Sequence, residues 1–163
     1  MARERGDAAD MPVDPQMAKL LAAMALLAGS RPHMDELEPD MMRRMLAGDM
    51  AYWRGGGPEL PRLEDVSLSG PLGEIPVRLY DPLEVSGRRP ALVYFHGGGW
   101  AAGDLDTEDR MLRELAAASG VIILSVGYRL APEYKFPAPV NDCLAALRRI
   151  AAEGAAFGID PDR

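Results

Sequence analysis

The chain has 163 residues, 48% of them hydrophobic and 26% charged, an ordinary balance for a soluble globular domain with a real core. A formal net charge of −7 and the lack of any Lys/Arg block exclude nucleic-acid and anionic-membrane binding, which both rest on concentrated positive charge. Cys143 is the only cysteine, which excludes an internal disulfide framework and a thiolate metal cluster and points to a cytoplasmic setting.

The first element is a helix. Asp14-Pro15 supplies an N-cap and a first-turn proline, Met17, Leu20, Leu21, Met24 and Leu27 line one face, and Gly29 closes it. The apolar run Leu20 to Gly29 is shorter than the roughly 20 residues that cross a bilayer, so it is not a membrane span. Asp7, Asp10 and Asp14 ahead of it offset Arg3, Arg5 and Lys19 and do not suit a secretory signal. A second helix begins near Pro39, carries Met41, Met42, Met45, Leu46 and Met50, and breaks at Gly55-Gly56-Gly57. Residues 1–57 therefore form a helical cap or lid segment, its methionine stripe filling core or covering an apolar pocket.

From residue 58 the texture is α/β. Leu63 to Leu68 and Ile75 to Tyr80 alternate as two strands about a turn at Gly70-Pro71-Leu72-Gly73, with Pro76 implying an edge or a bulge. Ala91 to Phe95 and Val121 to Val126 are continuous apolar runs, the pattern of strands buried on both faces. The helix between them is capped by Asp106 or Thr107 and ended by Gly120, which completes a right-handed βαβ unit with a parallel sheet. Leu130 to Pro139 is a stiff, ordered loop, and Pro139 opens a last helix carrying Val140, Leu144, Leu147 and Ala151.

The chemistry lies in His96-Gly97-Gly98-Gly99-Trp100, directly after a buried strand. Glycines there let backbone N–H groups face a ligand, and such donors serve either phosphate binding or an acyl-transfer oxyanion. Nucleotide loops want Gly-x-x-x-x-Gly-Lys or Gly-x-Gly-x-x-Gly, whereas this loop has no lysine, a bulky Trp100, and Asp104 and Asp106 downstream to repel a phosphate. The acyl-transfer reading fits the glycine loop that supplies one side of an esterase oxyanion hole.

Further blocks follow in order: Ile75 to Pro82, Tyr94 to Trp100, Gly103 to Thr107, Tyr128-Arg129-Leu130-Ala131-Pro132-Glu133, Phe136-Pro137-Ala138, Asp142, and Phe157 to Arg163. Over about residues 60–163 the sequence is similar to the hormone-sensitive-lipase-type (family IV) esterases of the α/β-hydrolase fold. The resemblance implies an α/β fold, here the N-terminal part (58–163) of a mostly parallel central sheet. It also implies a carboxylic ester hydrolase acting on short or medium acyl esters through a serine acyl-enzyme, without metal or cofactor. It implies Gly97 and Gly98 as oxyanion donors, with Gly99 open as an alternative, and His96 as the residue that orients the loop. Trp100 either lines the substrate pocket or covers the sheet. Arg129, Glu133 and Asp142 form an ionic network bracing the proline loop, and Gly127 departs from the family's usual Asp at that position.

A serine hydrolase of this fold needs a Gly-x-Ser-x-Gly elbow followed by an acid and a histidine. Neither Ser30, Ser67, Ser69, Ser86, Ser119 nor Ser125 sits in such an elbow, and the histidines are His33 and His96. The chain is accordingly expected to stop short of the nucleophile strand, to be inactive alone, and to leave Ala91–Phe95 as an unpaired apolar edge, which leaves homo-oligomerisation open. The alternatives are a non-catalytic small-molecule binding module of the same fold and, on the glycine loop alone, a nucleotide-binding domain.

Overall fold

The computed structural model describes residues 13–28 and 37–163, with backbone alone for 27–28 and 49–53. Two compact units divide between Leu37 and Glu38. In the first lies α1 (Pro15–Ala28), started as its sequence demands: the Asp14 carboxylate accepts the N–H groups of Gln16 at 2.8 Å and Met17 at 3.3 Å. The expected stop at Gly29, like Ser30 and His33, lies outside the described residues.

The second unit opens with α2 (Pro39–Arg54), so the stretch 1–57 contributes one helix to each unit. Next comes the hairpin of β1 (Arg62–Gly70) and β2 (Gly73–Asp81), paired without interruption from Arg62 opposite Asp81 to Gly70 opposite Gly73. Then follow β3 (Ala91–Phe95), α3 (Asp109–Ser119), β4 (Ile122–Val126) and α4 (Ala138–Glu153). The sheet order is β1-β2-β4-β3, antiparallel except for β3 beside β4, so this part of the sheet is mixed.

Pro76 causes neither an edge nor a bulge. Its carbonyl accepts from Gly127 N–H at 2.8 Å, just past the last β4 residue paired to β2, Val126 opposite Val77. Amide and carbonyl of one strand residue point the same way, so the missing proline donor falls where β4 has already left the sheet and costs no ladder bond.

The two helices cover opposite faces. β4 alternates Ile122, Leu124 and Val126 into one core with Ala146 and Ile150 of α4, and Ile123 into another with Leu112 and Ala116 of α3 and Tyr80. Each large aliphatic side chain so buried stabilises the fold by about 1.5–3 kcal/mol. β4 is wholly buried, as its apolar run predicts, but β3 is not. It is the outermost strand among the described residues, and Leu92 stays 41% exposed. Gly158 to Asp160 approach the chain two residues before β3: Arg89 N–H donates to Gly158 O at 3.0 Å and Asp160 N–H to Arg89 O at 2.8 Å.

The start of α3 differs from expectation. Asp106 and Thr107 lie in a preceding turn closed by Asp104, whose carboxylate accepts from Asp106 N–H at 3.0 Å and from the Thr107 hydroxyl at 2.8 Å. These short polar side chains satisfy the loop rather than the helix, which begins a few residues later. Its end is as the sequence demands, with Gly120 left-handed at φ 70° and its N–H bonded to Ala116 O.

Candidate functional site

β3 and β4 run parallel, so the loop after β3 and the loop after β4 emerge side by side at the same end of the sheet. His96 leaves β3 buried, its imidazole stacked at 4.2 Å and 10° on the ring of Tyr128, which leaves β4. The Tyr128 hydroxyl donates to His96 O at 2.5 Å. His96 Nδ1 lies 2.9 Å from Gly97 O, and because a carbonyl only accepts, that nitrogen carries the proton. Gly98 O in turn accepts from Ala101 N–H at 3.1 Å and Ala102 N–H at 3.0 Å.

Three successive carbonyls, of His96, Gly97 and Gly98, are thus each held by a donor from the protein. The N–H groups of the same three peptides belong to Gly97, Gly98 and Gly99, and among the described residues none is bonded to an acceptor. The loop is a row of peptide dipoles held at their oxygen ends, with their N–H groups unbonded among the described residues.

Backbone geometry demands the glycines. Gly98 has φ 122° and Gly103 φ 96°; a Cβ on Gly98 would stand 2.1 Å from Ala102 O, and one on Gly103 2.3 Å from His96 Nδ1. Gly97 and Gly99, by contrast, face open space. Trp100 is left-handed at φ 63°, costly for a residue with a Cβ, and is held there by Ala131 N–H donating to Trp100 O at 2.8 Å. Its ring is half exposed and tilted at 54° against Tyr128, 5.3 Å away.

The surrounding ionic network is only partly the expected one. Arg129 grips Asp142 of α4 through two bonds of 2.6 Å, and Arg129 N–H adds a third at 3.1 Å. Glu133 is not part of that group. Its carboxylate binds Arg43 of α2 at 2.6 and 2.9 Å, because the proline loop turns it toward α2. Arg43 further donates from Nε to Ala101 O at 2.8 Å and from an Nη to Ala131 O at 2.7 Å, joining α2 to both loops. Hydrogen bonding from Arg43 holds the Glu133 carboxyl down at about 2. Arg43 escaped the sequence reading because it sits among the methionines of an amphipathic helix, with no spacing that ties it to a glycine loop 58 residues away.

Asp104 is paired with Arg54 at 3.2 Å, whereas Asp106 shares Arg78, at 2.7 Å, with Asp65 and Asp109, so negative charge stays in excess beside the loop. Burial pushes the Asp104 carboxyl up, but the Thr107 hydroxyl and Arg54 outweigh it and hold it below its ordinary range. Phosphate binding is poorly served, because α3, the helix that follows the glycine loop, starts only at Asp109. At Gly127 a Cβ would lie 3.0 Å from Pro76 Cγ and 3.4 Å from Leu105 Cγ, so the departure to glycine suits a tight crossing of β2 and the glycine loop's far side.

Among the described residues no serine hydroxyl is bonded to His96, no three His, Cys, Asp or Glu side chains cluster to hold a metal ion, and no helix is long and apolar enough to cross a membrane.

Residues 92–163 match the family described as alpha/beta hydrolase fold. The chain is 47% identical over 108 residues to carboxylesterase NlhH of Mycobacterium tuberculosis, covering 65% of this chain and 33% of that protein. It is 37% identical over 160 residues to an ethyl acetate hydrolase of Pseudomonas putida, covering 94% of this chain and 50% of the relative. Among solved structures, the ester-hydrolase EH1AB1 from the metagenome of Lake Arreo superposes with a TM-score of 0.83 at 37% identity, over 93% of this chain and 49% of its own. A hyperthermophilic esterase from Pyrobaculum calidifontis gives 0.80 at 34% identity, over 92% and 47%. The chain spans a third to a half of the length of these relatives.

Proposed function

We propose that the chain, which has the alpha/beta hydrolase fold, supplies the oxyanion-stabilising arm of a hormone-sensitive-lipase-type carboxylic ester hydrolase. The observation that carries the reading is the row of three N–H groups, Gly97 to Gly99, whose peptides are anchored by their carbonyls while the donors stay unspent. When a nucleophile adds to an ester carbonyl, negative charge grows on the oxygen. Donors already fixed about 2.7–3.1 Å from that position stabilise it without having to reorganise, and removing one typically costs about 10²- to 10³-fold in rate.

In this reading Gly97 and Gly98 donate to the oxyanion, with Gly99 beside them. His96 orients the loop through its Nδ1–H, which donates to Gly97 O, and in this reading the general base is a separate histidine. Trp100 lines the approach of a short or medium acyl ester. The nucleophilic serine in its elbow, the acid and the base histidine are not among residues 1–163, which by themselves do not turn over. No cofactor is required, and the working compartment is the cytoplasm.

The gene sequence past codon 163 is the first test: an in-frame Gly-x-Ser-x-Gly elbow with a later Asp or Glu and a His is expected. The encoded protein should hydrolyse p-nitrophenyl acetate and butyrate. An elbow or histidine that is missing sinks the reading. An intact fold that binds these esters without hydrolysing them makes the protein a binding module instead.

A further inference from the structure

Arg43 reaches the glycine loop from α2, and what it touches there is a chain of peptide groups. Its Nε donates to Ala101 O at 2.8 Å. The N–H of that same peptide is Ala102 N–H, which donates to Gly98 O at 3.0 Å. The N–H of the Gly98–Gly99 peptide is that of Gly99, which is bonded to no acceptor among the described residues. A second path converges on the same oxygen: Ala131 N–H holds Trp100 O at 2.8 Å, and the N–H of that peptide, Ala101 N–H, also donates to Gly98 O. The remaining bond of Arg43, to Ala131 O, ends there, because the Ala131–Pro132 peptide has no N–H to pass on.

We propose that Arg43 is a positioning residue that orients and polarises the Gly99 N–H through the two intervening peptide groups, so that α2 tunes the strength of the anion cradle. The proposal rests on the reading of the loop as an oxyanion cradle, but its physical content is separable from catalysis. Hydrogen bonds in series polarise one another, and a cationic donor at the head makes a bond roughly twice as strong as a neutral one. The guanidinium is fixed for the task, held on its other side by Glu133 at 2.6 Å and approached by Asp40 at 3.8 Å. Glu133 sets the opposing influence, since its charge partly cancels that of Arg43.

A simple anchor and an electrostatic relay make different demands, and amide NMR of the 15N-labelled protein separates them. Arg43→Gln keeps a donor but removes the charge, and should move the Gly99 amide proton upfield; Arg43→Lys keeps the charge and should restore most of the shift. Glu133→Gln removes the cancelling charge and should move the same proton downfield, the opposite direction. An anchor would be loosened by either change, so equal-signed shifts, or none at Gly99, overturn the proposal. Should Arg43→Gln fail to fold, Glu133→Gln alone decides on the sign of its shift. In the esterase, Arg43→Gln should lower kcat roughly tenfold with KM unchanged, less than the loss of a whole donor. An enzyme without ester hydrolysis but with these NMR shifts would sink the functional reading and leave the relay standing.

Discussion

Tyr128 both stacks on the His96 imidazole at 4.2 Å and donates its hydroxyl to the His96 carbonyl at 2.5 Å. The pair ties the exits of two parallel strands, and the peptide it grips is the one whose N–H is that of Gly97. Tyr128→Phe keeps the stacking ring and removes the donor. A buried carbonyl left without its partner costs about 1–3 kcal/mol, so the urea midpoint should fall with the slope unchanged. Burial pushes the Tyr128 phenol up to about 12, so no phenolate band from it should appear in an absorbance titration to pH 10.

The glycines should separate into two classes. Gly103→Ala must place a Cβ 2.3 Å from His96 Nδ1 and 2.6 Å from Gly97 O, at a positive φ. Strain and overpacking together cost about 2–4 kcal/mol. Gly97→Ala meets nothing within 4 Å and should leave stability within about 0.5 kcal/mol of the parent. Thermal melts of the two variants check the contrast, and equal losses would contradict the loop geometry.

Much of this arrangement is legible in the sequence. Asp14-Pro15, the two-residue turn after Gly70, the apolar run of β4 and the left-handed stop at Gly120 are local signals, each with a local physical cause. What escaped is non-local. Nothing in the spacing places Arg43 on Ala101 and Glu133, or the Tyr128 hydroxyl on His96, because those pairings exist only once the parallel strands bring two loops together. β3 carries two signals: its apolar composition is that of a strand with a neighbour on each side, and its place as outermost strand among the described residues leaves Leu92 exposed, the expected apolar edge.

Asp142 is fully buried beside Arg129, which stays partly exposed. Removing the carboxylate leaves a guanidinium with three bonds lost in a poorly solvated place, a change that costs about 3 kcal/mol or somewhat less given the exposure of Arg129. Asp142→Ala should therefore destabilise far more than Glu153→Ala, whose ion pair with Arg149 is exposed on both sides. A double-mutant cycle on Arg129 and Asp142 should give a clear coupling, whereas one on Arg149 and Glu153 should give almost none. Similar coupling in both cycles would count against the buried anchor.

The Glu133 carboxyl is held down at about 2 by its hydrogen bonds from Arg43, against an unfolded value of about 4.3. A carboxyl whose pKa is depressed in the folded state binds fewer protons there than in the unfolded chain, so its contribution is complete above the unfolded value. It is lost as pH falls from about 4.3 through about 2, and it does not change between pH 5 and 8. A carboxyl-carbon NMR titration of Glu133 should therefore have its midpoint near 2, and Arg43→Met should return it to the ordinary carboxylate range. Because the pair is open to solvent, high salt should move the midpoint upward as well. A midpoint near 4 in the parent protein would mean that α2 and the proline loop are not joined in solution, and the link from Arg43 to the glycine loop would lose its outer support.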